Sequence, residues 1–224
     1  MDYKYTSPIS MPRGTHYGSN YWLFQSMKCH QIVAAYSNLE YENLLTLEMD
    51  YHVEYFCPQP LKTPVVLDGK TSETVFDVYV VYTDGTEEMQ EVKYSSELNG
   101  DDKKSQRTKA QIEKQKAWCH QNDIKYTVRT EKEIELGTYY IRNLAILAAK
   151  NRRFCNAEIS EKAILTYIED AGNPTIGMME NSGILSFFYG TDLLASLYYK
   201  GLITLSDIKN KPITNSTEVF CNGK

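Results

Sequence analysis

The sequence lacks the features that mark several large classes of protein. No apolar run comes near the roughly 20 residues needed to cross a bilayer, which argues against a membrane protein. The opening residues, MDYKYTSP, have no apolar signal-peptide core, so we expect a cytoplasmic protein. Excess positive charge is also missing, because the net charge is −5. Any contact with DNA must therefore come from local basic patches or from a partner.

Cysteines are few and carry no recognised pattern. There are five, scattered along the chain and without a C-x-x-C pair: Cys29, Cys57, Cys119, Cys155 and Cys221. This usage fits a reducing compartment. Cysteine stands next to histidine twice, at 29–30 and 119–120, but these pairs lack the spacing of zinc ligands and are weak evidence for a zinc site.

The overall composition is that of an ordinary globular protein. Hydrophobic residues make up 42% and charged residues 24% of the 224 positions. A chain of this length can bury a sizeable core and form one large domain or two small ones.

The most informative stretch is Thr74–Tyr94, in which two apolar, β-branched and aromatic runs flank the residues TDGT. An Asp-Gly turn between such runs is a strong signal for a hairpin, because the turn requires positive φ. The pattern predicts adjacent antiparallel strands over Val75–Tyr82 and Glu88–Tyr94.

This hairpin carries charged residues in unusual places. Glu91 and Lys93 share one face of the second strand, and Asp77 lies roughly opposite them, with a register uncertain by a residue or two. Clustered carboxylates repel one another unless a cation neutralises them, and hard oxygen ligands suit magnesium or manganese. The simpler alternative is a surface hairpin with a cross-strand Glu–Lys pair.

A helix is predicted to begin after Ser37, which is a good N-cap. Glu40 stands three positions later and completes a capping box, so local chemistry favours a capping role for its carboxylate. The functional alternative is that Glu40 points into the hairpin patch as a third acidic group.

Further elements surround the hairpin. Short strands are predicted at Gln31–Tyr36, Val53–Phe56 and Val65–Leu67, with the residues PQP after the second of these acting as a breaker. A basic helix is predicted over Lys103–Gln121, and Ile124–Arg129 is predicted to return as a parallel strand. Such a sequence of elements predicts a mixed α/β sheet with helices on both sides.

The C-terminal part has a different pattern. Helices are predicted over Tyr139–Lys150, from Ser160, and over Asp192–Tyr199, followed by a strand-like stretch at Leu202–Leu205. Three short helices followed by a strand-like stretch suggest a small winged-helix or helix-turn-helix unit. Because its candidate recognition helix holds a single lysine, a protein-interaction role is favoured.

Taken in order, these segments resemble a known family. The residues SNLE, LTLEMD, FDVYV and EVK, a basic helix, and then IKYTVRTEKEI and LLASLYYKGLI are similar to TnsA, the endonuclease subunit of heteromeric bacterial transposases. The resemblance covers roughly residues 12–215. It implies a restriction-endonuclease-like α/β catalytic domain over residues 31–137, preceded by an extended arm over 1–30 and followed by a winged-helix-like domain over 138–224.

The resemblance also implies roles for individual residues. Glu40, Asp77 and Lys93 would be catalytic, and Glu40 and Asp77 would hold Mg²⁺, for which Mn²⁺ could substitute. Either the Val92 carbonyl or the Glu91 side chain would complete the metal shell, and this choice stays open. The basic residues expected to contact DNA are Lys28, Lys103, Lys104, Arg107 and Lys109.

The function implied is metal-dependent hydrolysis of double-stranded DNA at the 5′ ends of a transposon. The partners implied are a TnsB-type recombinase, which handles the 3′ ends, and a TnsC-type AAA+ ATPase bound by the C-terminal domain. One alternative is a stand-alone restriction-like or phage nuclease. Another is a catalytically silent adapter that bridges DNA ends and an ATPase.

Overall fold

The computed structural model describes residues 3–9, 20–67, 69–153, 158–185 and 190–223. Contacts divide the chain into two compact units: Met1–Leu47 with His52–Ile134, and Glu48–Tyr51 with Glu135–Lys224. Residues 10–19, which form much of the predicted N-terminal arm, lie outside the described residues. No helix in the described ranges is long and apolar enough to cross a membrane.

The first unit alternates strands and helices. Its elements are β1 (Trp22–Ser26), β2 (Gln31–Ala35), α1 (Asn38–Met49), β3 (Val53–Pro58), β4 (Lys62–Leu67), β5 (Lys70–Val75), β6 (Val78–Tyr82), β7 (Glu87–Val92), α2 (Ser95–Asn99), α3 (Lys103–Gln121), β8 (Lys125–Arg129) and α4 (Glu131–Ile134).

A four-stranded mixed sheet in the order β3-β6-β7-β8 is the centre of this unit. The β3–β6 and β6–β7 pairs are antiparallel, and β7–β8 is parallel. Its strands supply fully buried apolar side chains such as Phe56, Tyr79 and Met89. A mixed sheet flanked by helices is the predicted fold class and fits a restriction-endonuclease-like fold. Two more antiparallel pairs, β1–β2 and β4–β5, form separate two-stranded sheets.

The predicted hairpin is present, but its first strand is shorter than expected. Val75 belongs to β5 and pairs with Lys62 of β4, whereas β6 begins at Val78. The chain leaves one sheet and enters another across Phe76 and Asp77. Apolar periodicity does not reveal this change, because Val75 and Phe76 continue into the β-branched and aromatic residues of β6 with only Asp77 between them. The second strand ends at Val92 and not at Tyr94.

The second unit contains α5 (Tyr140–Asn151), α6 (Glu158–Ala171), α7 (Ile176–Asn181), α8 (Gly190–Tyr199) and the antiparallel pair β9 (Ile203–Leu205) and β10 (Val219–Cys221). Helix α7 was not predicted. It is short and is capped by Thr175, whose side chain accepts a hydrogen bond from the Met178 amide.

Candidate active site

Asp77 lies at the junction between β5 and β6, where no ladder partner restricts its side chain. The pairing of Val78 with Gln90 places Asp77 opposite Glu91. Its Oδ2 accepts a hydrogen bond from the Val92 amide at 2.8 Å. The turn out of β5 therefore holds this carboxylate against the end of β7.

Lys93 follows β7 directly, and its backbone amide donates to the Arg129 carbonyl at 3.0 Å. Its Nζ lies 2.5 Å from Glu91 Oε1 and 3.7 Å from Asp77 Oδ2. Burial acts to lower the pKa of this ammonium, but the charges of Asp77 and Glu91 outweigh it and raise the pKa above its ordinary value. Lys93 is therefore a fully charged cation between two carboxylates.

Glu91 is completely buried and held by helix α3. Gln111 donates to its Oε1 and Gln115 donates to its Oε2, each at 2.7 Å. Burial, followed by repulsion from Asp77, raises the pKa of Glu91 to about 8. Both oxygens of this carboxylate are already engaged, since Oε1 also contacts Lys93.

Glu40 combines the two roles that its position suggested. As in the predicted capping box, the Glu40 amide donates to the Ser37 hydroxyl at 3.2 Å. Its carboxylate reaches back one residue further: Oε1 accepts from the Ser37 hydroxyl at 2.9 Å, and Oε2 accepts from the Tyr36 amide at 3.1 Å. The carboxylate also faces Asp77 and Lys93 across one cavity. Burial and then the Asp77 charge raise the pKa of Glu40 to about 7. The cap fixes the orientation of a carboxylate whose charge is poorly solvated.

These groups line a cavity of about 780 Å³. Glu40, Asp77, Glu91, Val92 and Lys93 all contribute to its surface. Such a volume is in the range of ligand-binding clefts in proteins. The sequence-predicted catalytic residues are thus brought together in one open site.

Helix α3 supplies a basic stripe to the same cavity. Lys104, Arg107, Gln111 and Lys114 line it, and their spacing of three or four residues places them on one face of the helix. The cavity therefore has acidic groups from α1 and the hairpin and basic groups from α3, an arrangement that can hold a phosphodiester near carboxylates.

The residues predicted to contact DNA separate into three groups. Lys104 and Arg107 line the cavity. Lys103 and Lys109 are exposed on α3 but are not part of the lining, and Lys109 donates to the Gly100 carbonyl at 2.8 Å. Lys28 is buried, and its ammonium donates to the Val53 carbonyl, so the structure places it away from the site. Sequence could not reveal this, because a lysine in an irregular segment is usually solvated.

The donor set fits a divalent ion held by two carboxylates. Asp77 and Glu40 each present oxygen to the cavity, and the Val92 carbonyl lies beside them, contacted by the Lys93 ammonium at 3.2 Å. Glu91 does not fit as a ligand, because its oxygens are bound to α3 and Lys93. Among the described residues no group of three His, Cys, Asp or Glu side chains could hold a metal. An ion here would rely on two carboxylates, a carbonyl and water, which is a common Mg²⁺ environment.

The weak zinc alternative gains no support from the same residues. Cys29 is buried and its thiol contacts the Phe56 carbonyl, while Cys119 is buried in the core. Burial raises the pKa of the Cys119 thiol to about 12, which disfavours the thiolate that zinc requires.

Three site residues were missed by sequence reasoning: Gln59, Gln111 and Gln115. The two glutamines of α3 follow Arg107 at helical spacing, so a helical projection of Lys103–Gln121 would have placed them on one face. Gln59 lies in the PQP segment after β3, and no local pattern marks it.

A comparison with known families agrees with this geometry. Residues 50–131 match the family described as TnsA-like endonuclease N terminal. The match covers less than half of the chain and supports a TnsA-like protein. The matched segment contains Asp77, Glu91, Lys93 and helix α3, whereas Glu40 precedes it. No curated protein matches the chain. The match supports nuclease activity in the context of a transposase.

Proposed function

We propose that this protein is the metal-dependent DNA endonuclease subunit of a cut-and-paste transposase, cleaving phosphodiesters at the 5′ ends of the transposon. The observation that carries the proposal is the single cavity in which Glu40, Asp77 and Lys93 meet the basic stripe of α3. A site with more buried carboxylates than ammonium groups destabilises the folded state, and a bound divalent ion would offset the excess negative charge.

The metal would be Mg²⁺, with Mn²⁺ as a substitute, held by Asp77 and Glu40 with help from the Val92 carbonyl. When bound, it supplies Lewis-acid polarisation of the phosphate and a more acidic water. Glu91 is assigned a supporting role, because it holds the Lys93 ammonium and is itself held by α3.

The chain's own residues carry the remaining steps. Lys93, fully protonated, orients the attacking water by hydrogen bonding and neutralises the negative charge that develops on the phosphoryl oxygens. Lys104, Arg107 and Lys114 bind the flanking phosphates and set the register of the strand in the cavity. The net charge of −5 agrees with a subunit that leaves most of the DNA binding to its partners.

The partners proposed are a TnsB-type recombinase for the 3′ ends and a TnsC-type AAA+ ATPase. The second unit, which contains α5 to α8 and the β9–β10 pair, is proposed to be the winged-helix-like domain that binds the ATPase. If the first unit cleaves DNA and the second binds the ATPase, the catalytic cavity should lie wholly within the first unit, as it does.

Replacing Asp77 tests the proposal most directly. With the complete transposase and Mg²⁺, Asp77→Ala should abolish 5′ cleavage, by about 10³-fold or more, while leaving 3′ processing intact. Glu113→Ala is the matched control, since Glu113 is an exposed α3 carboxylate outside the cavity lining. Retained 5′ cleavage by a folded Asp77→Ala protein would refute the assignment, and Asp77→Asn repeats the test without leaving the Val92 amide unpaired.

A further inference from the structure

Gln59 has a backbone conformation that its residue type disfavours. Its φ is 40°, in the left-handed region where side chains other than glycine cost about 1–2 kcal/mol. Pro60 follows it, and a residue before proline ordinarily takes extended backbone with negative φ. Strain of this kind persists only where the surrounding structure holds it in place.

The backbone of Gln59 is held from both sides. Its amide donates to the Asp77 carbonyl at 2.8 Å, and its carbonyl accepts from the Ile9 amide at 2.9 Å. The residue is only 5% exposed. The unusual φ thus aligns the end of β3 with the junction that presents Asp77.

The side chain of Gln59 turns toward the other proposed metal ligand. Its Nε2 lies 3.5 Å from Glu40 Oε2, and the residue lines the cavity. Glycine would adopt this φ without strain but could not reach Glu40. The strained backbone therefore places a side-chain amide, which glycine lacks, beside the Glu40 carboxylate.

We infer that Gln59 is a positioning residue that joins the Asp77 segment to the Glu40 carboxylate and sets the distance between the two. This inference rests on the proposed function, because it takes those carboxylates as the metal-binding pair. Residues that orient metal ligands in this way typically change metal affinity by 10- to 100-fold when removed.

Gln59→Gly separates positioning from folding. In chelator, its melting temperature should equal or exceed that of the wild type, by up to about 4 °C, because glycine relieves the strain. Its Mn²⁺ affinity, measured by calorimetry on the full chain, should be about tenfold weaker or more. Asp123→Gly is the matched control: Asp123 has φ 54° and is exposed in the turn between α3 and β8, so its Mn²⁺ affinity should not change.

The outcomes distinguish this inference from the proposed function. Wild-type Mn²⁺ affinity in Gln59→Gly, together with loss of binding in Asp77→Ala, would overturn the role of Gln59 and leave the nuclease assignment standing. Unchanged binding in Asp77→Ala would overturn both. Gln59→Asn tolerates the same backbone but has an amide one carbon shorter, and it too should bind Mn²⁺ more weakly; it carries the test if the glycine variant does not fold.

Discussion

The two faces of strand β7 both bury polar side chains, but they do so in opposite ways. On one face, Glu88 and Gln90 are almost fully buried, at 2% and 1% exposure. Gln90 donates to Glu88 and accepts from Asn43, while Lys125 lies 2.6 Å from Glu88. Each of these buried groups has a partner of opposite polarity, and the network is closed.

The other face carries Glu91, with Lys93 directly beyond it, and is not balanced in this way. Lys93 is shared between Glu91 and Asp77, and Glu40 adds a third carboxylate in the same cavity. Both raised carboxyl pKa values, at Glu40 and Glu91, belong to this side. The comparison teaches that buried charge alone does not mark a functional site: an unbalanced cluster that opens to a cavity does.

Removing the lysine from each face gives the largest expected contrast. Lys93→Met should lower Mg²⁺-dependent DNA cleavage about 100-fold or more, because it removes the ammonium that we propose neutralises charge on the phosphate. Lys125→Met removes the matching cation from the closed network. It should cost about 1–3 kcal/mol of stability, because buried Glu88 loses its cation but keeps the Gln90 amide and the Tyr82 hydroxyl as donors, and it should leave cleavage per folded molecule unchanged.

The measurement is single-turnover cleavage of a labelled duplex, with circular dichroism to confirm folding. Equal losses of cleavage in both folded variants would show that the two faces do not differ in function.

Removing the glutamine from each face sharpens the same comparison. Gln115→Leu removes one of the donors to Glu91 and the acceptor of the Tyr126 hydroxyl. Gln90→Leu removes the acceptor of the Asn43 amide and one of the donors to Glu88. Each variant should lose about 1–3 kcal/mol of unfolding free energy in urea.

Only Gln115→Leu should also slow cleavage, about tenfold or more, because Glu91 then no longer fixes Lys93. Cleavage by Gln115→Leu at the wild-type rate, once corrected for the folded fraction, would mean that α3 does not position the site.

Features that depend on local sequence patterns could be predicted, whereas features that depend on tertiary contacts could not. The Asp-Gly turn, the basic helix α3 and the parallel return of β8 are local or short-range patterns, and all three were predicted correctly. The capping box of Glu40 was equally local. What sequence could not show is that Lys28 turns inward to a carbonyl, or that Gln59 bridges two segments, because both depend on tertiary contacts. Periodicity likewise could not show where β5 ends and β6 begins. Both are paired strands, and they differ in which strands they pair with.

The smallest expected effect is a pH dependence of stability that arises from Glu40 and Glu91, on the Glu91 side of β7. Burial and neighbouring charge raise the pKa of Glu40 to about 7 and that of Glu91 to about 8, above the ordinary value of 4.5. The folded state therefore binds more protons than the unfolded state between pH 4.5 and 8, and stability must fall as pH rises through that window. Lys93 does not contribute there, because its raised pKa acts only at higher pH.

In chelator, the melting temperature of the wild-type protein should be lower at pH 8.5 than at pH 6. Glu40→Gln keeps a carbonyl oxygen for the cap but cannot ionise, so its melting temperature should fall less over the same range. Adding Mg²⁺ at pH 8.5 should raise the wild-type melting temperature more than that of Glu40→Gln, because the proposed ion would neutralise the ionised Glu40 carboxylate. Identical pH profiles for the two proteins would show that ionisation of Glu40 does not destabilise the folded state. The Glu91 face of β7 would then resemble the Glu88 face.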